Sequence, residues 1–169
     1  QTYQDWELLI LNDGGTDDFK TVVQQFTDPR IKIMAFDENR GMWEAQNQMA
    51  FRATGEFYVP ASADDTIEPN FIEQCLAEFA KNPWLEMVAT HTDFMKEDKS
   101  PFNDATNPMM HIAKPGNKSR EELLIDLHGG NQYFGMGMYR TKVISDLGGW
   151  EKTYEVIADY QMYLKLLQR

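Results

Sequence analysis

An α/β fold with a mostly parallel sheet is predicted by three features of the sequence. Short apolar runs alternate with amphipathic stretches along the N-terminal half. Turn and capping residues mark each switch, and one run is apolar throughout, as in a strand covered on both faces. The 169 residues, 42% hydrophobic and 12% aromatic, suffice for one packed core and exceed what a disordered chain carries. Strand–helix alternation of this kind implies right-handed βαβ crossovers.

The elements follow in order. Leu8-Leu9-Ile10-Leu11 is the fully apolar run, halted by the turn signal Asn12-Asp13-Gly14-Gly15. Thr16 or Asp17 can cap a helix that places Phe19, Val22, Val23 and Phe26 at i, i+3, i+4 and i+7. Asp28-Pro29 ends it, and Ile31 to Phe36 reads as the next strand. A second helix after Gly41 sets Met42, Ala45, Met49 and Ala53 along one stripe, and Gly55 stops it. Glu56 to Ala61, with aromatic and β-branched residues, is a third strand. Pro69 fits the first turn of a helix with Phe71, Ile72, Cys75, Leu76 and Phe79 inward, and Leu85 to His91 forms a fourth strand.

The second half is less regular. Residues 94–118 are polar, contain Pro and Asn, and read as a long loop, of a length associated with lids and binding segments. Ser119-x-x-Glu122 is a capping box for a short helix ended by Gly129-Gly130. Gln132 to Arg140 reads as a strand weakened by Gly135 and Gly137. Thr141 to Leu147 is a short helix, and Asp159 to Leu167 opens a longer one.

Charge narrows the function. Lys and Arg number 16 against 27 Asp and Glu, a formal net charge of −11. That balance argues against nonspecific nucleic-acid or anionic-membrane binding and suits a protein that handles anions through a metal ion. Cys75 is the only cysteine, which excludes a disulfide scaffold or a cysteine–zinc site and points to a reducing, cytoplasmic compartment. No apolar run approaches the roughly 20 residues a spanning helix needs, so any membrane contact is expected outside this segment. Gln1 leads almost directly into a strand and Arg169 closes a helical pattern without a stop signal, so the sequence reads as a piece of a longer protein.

Carboxylates recur where strands end. Asp13 follows the first strand, Asp37 the second and Asp64-Asp65 the third. In open parallel sheets ligands bind beyond the carboxyl ends of the strands, so these acids are expected on one rim. Like charges there call for a compensating cation, and Mg²⁺ or Mn²⁺ accepts one or two carboxylates together with phosphate oxygens. Asp is also an ordinary turn and helix-cap residue, and spacing does not separate the two readings. Neither phosphate-loop pattern, G-x-x-x-x-G-K-[ST] or G-x-G-x-x-G, is present.

Five segments resemble family-2 glycosyltransferases, in family order and spacing. They are Gln1-Thr2-Tyr3 through Glu7 to Asp17, then Asn39-Arg40-Gly41 with Ala45-Gln46-Asn47, then Gly55 to Val59 leading to Ser62-Ala63-Asp64-Asp65. Gly148-Gly149-Trp150 resembles the family's G-G-F/W, and Ala158 to Lys165 its E-D-x-D-L-x-x-R helix. The resemblance implies a GT-A fold, a Rossmann-like nucleotide-diphospho-sugar transferase architecture, with residues 1–169 as a single catalytic domain. It implies transfer from a nucleotide-sugar donor to a saccharide, lipid-linked or protein acceptor, of the inverting, metal-dependent kind. By the same resemblance Asp13 contacts the nucleobase, Asp64 the ribose or diphosphate, and Asp65 a Mn²⁺ or Mg²⁺ ion. Arg40 and Gly41 lie near the nucleotide, and Asp159 is the general base. The family's first strand, roughly 25 residues with its connection, is expected before Gln1, and no C-terminal extension is included.

The sequence also departs from the pattern. Ser62 replaces the first acid of D-x-D, Asn12 the first acid of the D-D-G pair, and Gln46 an Arg. Ala158 and Gln161 remove both acids flanking Asp159. A noncatalytic nucleotide-sugar-binding or scaffolding domain is therefore the alternative, and a nucleotidyltransferase a third that lacks its basic, glycine-rich phosphate segment. His91, His111 and His128 lack zinc-ligand spacing. Trp43 and Trp150 suit either sugar stacking or core packing, and Asp17-Asp18 is a helix-start acid pair. Met109-Met110 and Met136/Met138 fit either an adaptable acceptor surface or core filling. Donor and acceptor selectivity is expected in residues 94–118 and 128–138.

Overall fold

The computed structural model describes residues 1–90, 92–102, 118–128 and 136–169. The expected features at His91, at 103–117 with Met109-Met110 and His111, at Gly129-Gly130 and at Gln132–Gly135 lie outside the described residues.

Among the described residues five strands and six helices follow in order: β1 (Leu8–Asp13), α1 (Phe19–Val23), β2 (Ile31–Phe36), α2 (Met42–Arg52), β3 (Phe57–Tyr58), α3 (Phe71–Lys81), β4 (Met87–Ala89), α4 (Arg120–His128), β5 (Gly137–Arg140), α5 (Thr141–Asp146) and α6 (Ala158–Leu167). A 3-10 turn, Lys152–Ile157, leads into α6. The α/β class holds. β1 and β2 are parallel, with Leu8 opposite Ile31 and Asp13 opposite Phe36. β5 lies between β3 and β4 and is antiparallel to both, so those two run parallel to each other across it.

Period-two alternation in that second sheet sends neighbouring residues to opposite faces. Phe57 and Met138 face α3, where they meet Cys75 and Phe79. Tyr58 and Tyr139 face the other way, into a core of Ala50, Leu127, Ile144, Trp150, Ala158, Met162 and Tyr163. One face of the sheet thus packs against α2, α4, α5 and α6, and Trp150 sits among them with Trp43 stacked 6.2 Å away. Both tryptophans pack with the core. Burying one such side chain contributes about 2–3 kcal/mol. Burial also pushes the Cys75 thiol up to about 11, with help from Glu78, which leaves it an unreactive core residue.

Several expectations need correction. β1 is not covered on both faces: Leu8 is 43% exposed and the rest half-buried, and among the described residues only β2 pairs with it. α1 stops at Val23, leaving Val22 and Phe26 exposed; the β-branched run Thr21-Val22-Val23 disfavours a longer helix. On α2 the inner face runs through Trp43, Ala45, Met49, Ala50 and Ala53, so of the expected stripe only Met42 is exposed. β3 is two residues rather than six, and Pro69 precedes the Asn70 cap of α3. The capping box forms as expected: the Ser119 N–H donates to Glu122 Oε2 at 2.6 Å, and the Glu122 N–H donates to Ser119 Oγ at 3.2 Å.

Candidate nucleotide and catalytic site

The parallel register that sets Asp13 opposite Phe36 also sets the turn after β2 over the end of β1. Chain direction alone brings Glu38 to Gly41 onto the Asp13-Gly14 step. A Cβ on Gly14, whose φ is +72°, would sit 2.3 Å from the Asn39 nitrogen, so only glycine lets the two turns meet. The Asp13 carboxylate then receives both turn amides: the Arg40 N–H donates to Oδ1 at 2.7 Å and the Gly41 N–H to Oδ2 at 2.9 Å. Asn12 Oδ1 accepts the Gly15 N–H at 2.6 Å and fixes the other arm of the loop. The structure therefore joins three of the predicted site residues, Asp13, Arg40 and Gly41. The Arg40 guanidinium lies over the Phe36 ring, 4.4 Å from its centroid.

Asp64 and Asp65 lie on the turn after β3, where the Asp65 N–H reaches the Ser62 carbonyl at 3.4 Å. Both are exposed, and neither side chain takes a hydrogen bond or ion pair from the described residues. No such contact links them to Asp13. Asp37 is likewise exposed.

Asp159 stands in the first turn of α6, where the helix dipole favours a carboxylate. Its Oδ1 accepts the Tyr160 N–H at 2.7 Å, and Tyr160 Oη donates to the Leu127 carbonyl at 2.8 Å. Behind it lie two buried phenols. Burial pushes Tyr163 up to about 12, Asp159 adds to the rise, and a hydrogen bond with Tyr139 opposes it. Tyr139 is raised well above the ordinary value by burial, then by Tyr163 and Asp159. Both stay protonated at neutral pH.

The residues present fit a divalent cation in one way. Among the described residues no three His, Cys, Asp or Glu side chains are placed to hold an ion. Asp65 and Asp64 offer hard, uncommitted oxygens on an exposed turn. A cation held by one or two carboxylates, with diphosphate and water completing its shell, matches the habit of Mg²⁺ and Mn²⁺.

The family model described as glycosyl transferase family 2 matches residues 1–148. The chain belongs to this family. As a family-2 glycosyl transferase chain it is 32% identical, over 98% of its length, to a chondroitin synthase of Pasteurella multocida (strain Pm70) and to a hyaluronan synthase of the same species, spanning 16% of each. It is 28% identical to a chondroitin synthase of Escherichia coli, spanning 23% of that protein. A solved structure of a Pyrobaculum calidifontis mannosyltransferase in complex with GDP-Man and Mn²⁺ has a TM-score of 0.55 and 17% identity, over 86% of this chain and 38% of the other. That likeness is one of fold. This chain therefore corresponds to a small part of the curated relatives it matches.

The sequence reading left three residues of this glycosyltransferase chain without a role. Asn47 clamps the backbone of Trp150, and Lys152 Nζ donates to the Arg40 carbonyl at 3.0 Å. Gln46, standing at a family arginine position, accepts the Tyr58 hydroxyl at 2.8 Å. Asn47 lies inside the Ala45-Gln46-Asn47 motif, its only signal in the sequence. Lys152 had none, since its partner is a backbone carbonyl far away in sequence. His128 closes α4 and is exposed.

Proposed function

We propose that this chain is the nucleotide-sugar-binding and catalytic segment of an inverting glycosyltransferase acting in polysaccharide or glycoconjugate synthesis. The observation that carries the reading is the Asp13 carboxylate fixed by two turn amides at the end of a parallel strand. Fixed acceptors at such an edge suit a nucleobase, whose N–H groups need acceptors that do not reorganise on binding. Arg40 and Gly41 shape the turn beside it, and Asp64 faces the ribose or diphosphate.

The relatives support the donor class. One, an Escherichia coli protein 33% identical over 48% of this chain, is named for UDP-Glc and a diphosphoundecaprenol-linked acceptor. The structural neighbour holds GDP-Man and Mn²⁺. Two others are named for the synthesis of chondroitin and hyaluronan, which favours a saccharide acceptor here.

Asp65 would hold Mn²⁺ or Mg²⁺. When bound, such an ion supplies Lewis-acid neutralisation of charge on the departing diphosphate. Asp159 accepts the proton of the acceptor hydroxyl as that oxygen attacks the anomeric carbon, and one in-line displacement inverts the configuration. General-base help of this kind contributes about 10²–10⁴-fold. The Tyr139–Tyr163 pair beneath the helix keeps the Asp159 turn anchored in the core.

A second reading has one observation of its own. Ala158 is wholly buried in the Trp150 core, and Gln161 Nε2 donates to Glu151 Oε1 at 2.9 Å, where the family pattern has acids. That favours a noncatalytic nucleotide-sugar-binding or scaffolding domain. Release of nucleoside diphosphate from a panel of nucleotide-sugars, with saccharide acceptors, separates the two. Release abolished by Asp159→Asn supports the enzyme, and binding without release supports the scaffold.

A further inference from the structure

The Arg40–Gly41 peptide is gripped at both ends. Its carbonyl accepts from the Lys152 ammonium at 3.0 Å, and its N–H donates to the Asp13 carboxylate at 2.9 Å. A cation therefore sits on one side of a single peptide unit and an anion on the other. Both bonds are charge-assisted, and a positive charge at the carbonyl makes the N–H of the same peptide a stronger donor. The turn has no local preference to rely on: Gly41 has φ +95° and ψ 153°, caps α2 without a side-chain bond, and is held by these partners. The Lys152 stem passes close by, its Cε lying 3.9 Å from where a Gly41 Cβ would be. Lys152 also opens the 3-10 turn that runs into α6 and Asp159. It lies beyond the residues that the family model matches.

We propose that Lys152 is a positioning residue for Asp13. Through the Arg40–Gly41 peptide it sets the carboxylate that meets the nucleotide, and it couples that turn to the element carrying Asp159. The functional half of this inference rests on the nucleotide reading above. The structural half does not. Lys152 is exposed and its ammonium reaches a carbonyl rather than the core, so its replacement leaves the fold intact.

The test uses ¹⁵N-labelled protein with Lys152→Met, which keeps most of the stem and removes the charge, and Lys152→Arg, which restores it. In Lys152→Met the Gly41 amide proton shifts upfield as its bond to Asp13 weakens, and the Leu123 and Gly149 amides do not move. Lys152→Arg returns most of the Gly41 shift. With UDP, GDP and dTDP as probes in Mn²⁺, affinity for the nucleotide that the wild type binds falls roughly two- to fivefold in Lys152→Met, the size expected for an exposed charged contact. An unchanged Gly41 amide overturns the proposal even where affinity falls, since that pattern means direct contact between the ammonium and a phosphate. A shifted Gly41 amide with unchanged affinity overturns it too. A wild type that binds none of the three probes refutes the nucleotide reading, and the Gly41 response then still decides whether Lys152 sets Asp13.

Discussion

Asn47 and Trp150 exchange two hydrogen bonds: Asn47 Nδ2 donates to the Trp150 carbonyl at 2.7 Å, and the Trp150 N–H donates to Asn47 Oδ1 at 2.9 Å. One side chain on α2 thus substitutes for a strand partner and pins the chain just before the Lys152 turn. Gly148 and Gly149 both have φ of +77°, and a Cβ on Gly149 would fall 2.3 Å from Asn47 Oδ1. Gly149 is required because the asparagine comes that close, whereas a Cβ on Gly148 would meet nothing within 4 Å and only its positive φ favours glycine there.

Asn47→Ala is expected to destabilise the protein by about 2–3 kcal/mol, because two backbone groups of a buried residue lose their partners. Gly149→Ala is expected to cost at least as much, through both the clash and the left-handed backbone. Urea denaturation followed by far-UV circular dichroism checks both. A loss under about 0.5 kcal/mol for Asn47→Ala would show that water replaces the amide.

Glu7 ties the start of β1 to its neighbours. Its Oε1 accepts the Thr54 N–H at 2.6 Å and the Thr54 hydroxyl at 2.7 Å, while Oε2 takes Lys32 at 2.6 Å. Burial raises its pKa, but these bonds outweigh burial and bring it down from 4.5 to about 2. A depressed carboxylate contributes stability above its unfolded pKa and loses it as pH falls towards the folded one. The contribution, of order 1 kcal/mol after solvent screening, is therefore full above about pH 4.5 and fades towards about pH 2. Urea midpoints of Glu7→Gln should fall less steeply across that window than those of the wild type, and parallel curves would refute the assignment.

Asp159→Asn is expected to lower turnover by about 10²–10⁴-fold, with nucleotide affinity nearly unchanged. Coupled detection of released nucleoside diphosphate measures the first and calorimetry the second. Near-normal turnover in the variant would remove Asp159 from the mechanism.

Asp65→Ala is expected to weaken nucleotide binding in Mn²⁺ and to leave any binding in EDTA unchanged. Equal affinity of variant and wild type in Mn²⁺ would place the ion elsewhere.

What the sequence reveals divides along physical lines. β2, α3, the Ser119–Glu122 capping box and the start of α6 were readable because local pattern and tertiary packing agree there. Leu8-Leu9-Ile10-Leu11 misled because apolar composition announces a strand and not how many neighbours cover it. Phe26 misled because helical spacing persists past the residue where β-branching has already ended the helix. Asp13 could be found by its place after a strand. Its partners could not, since both are backbone amides supplied by parallel register. Lys152 and Asn47 act on backbone atoms remote in sequence, and such contacts leave no motif.

The most direct test of the nucleotide site is titration calorimetry of UDP, GDP and dTDP, each in Mn²⁺ and in EDTA, on the wild type and on Asp13→Asn. The account predicts metal-dependent binding of one nucleotide, weakened at least severalfold when Asp13 loses its charge. Binding that ignores Asp13→Asn, or no binding of any of the three, would contradict it.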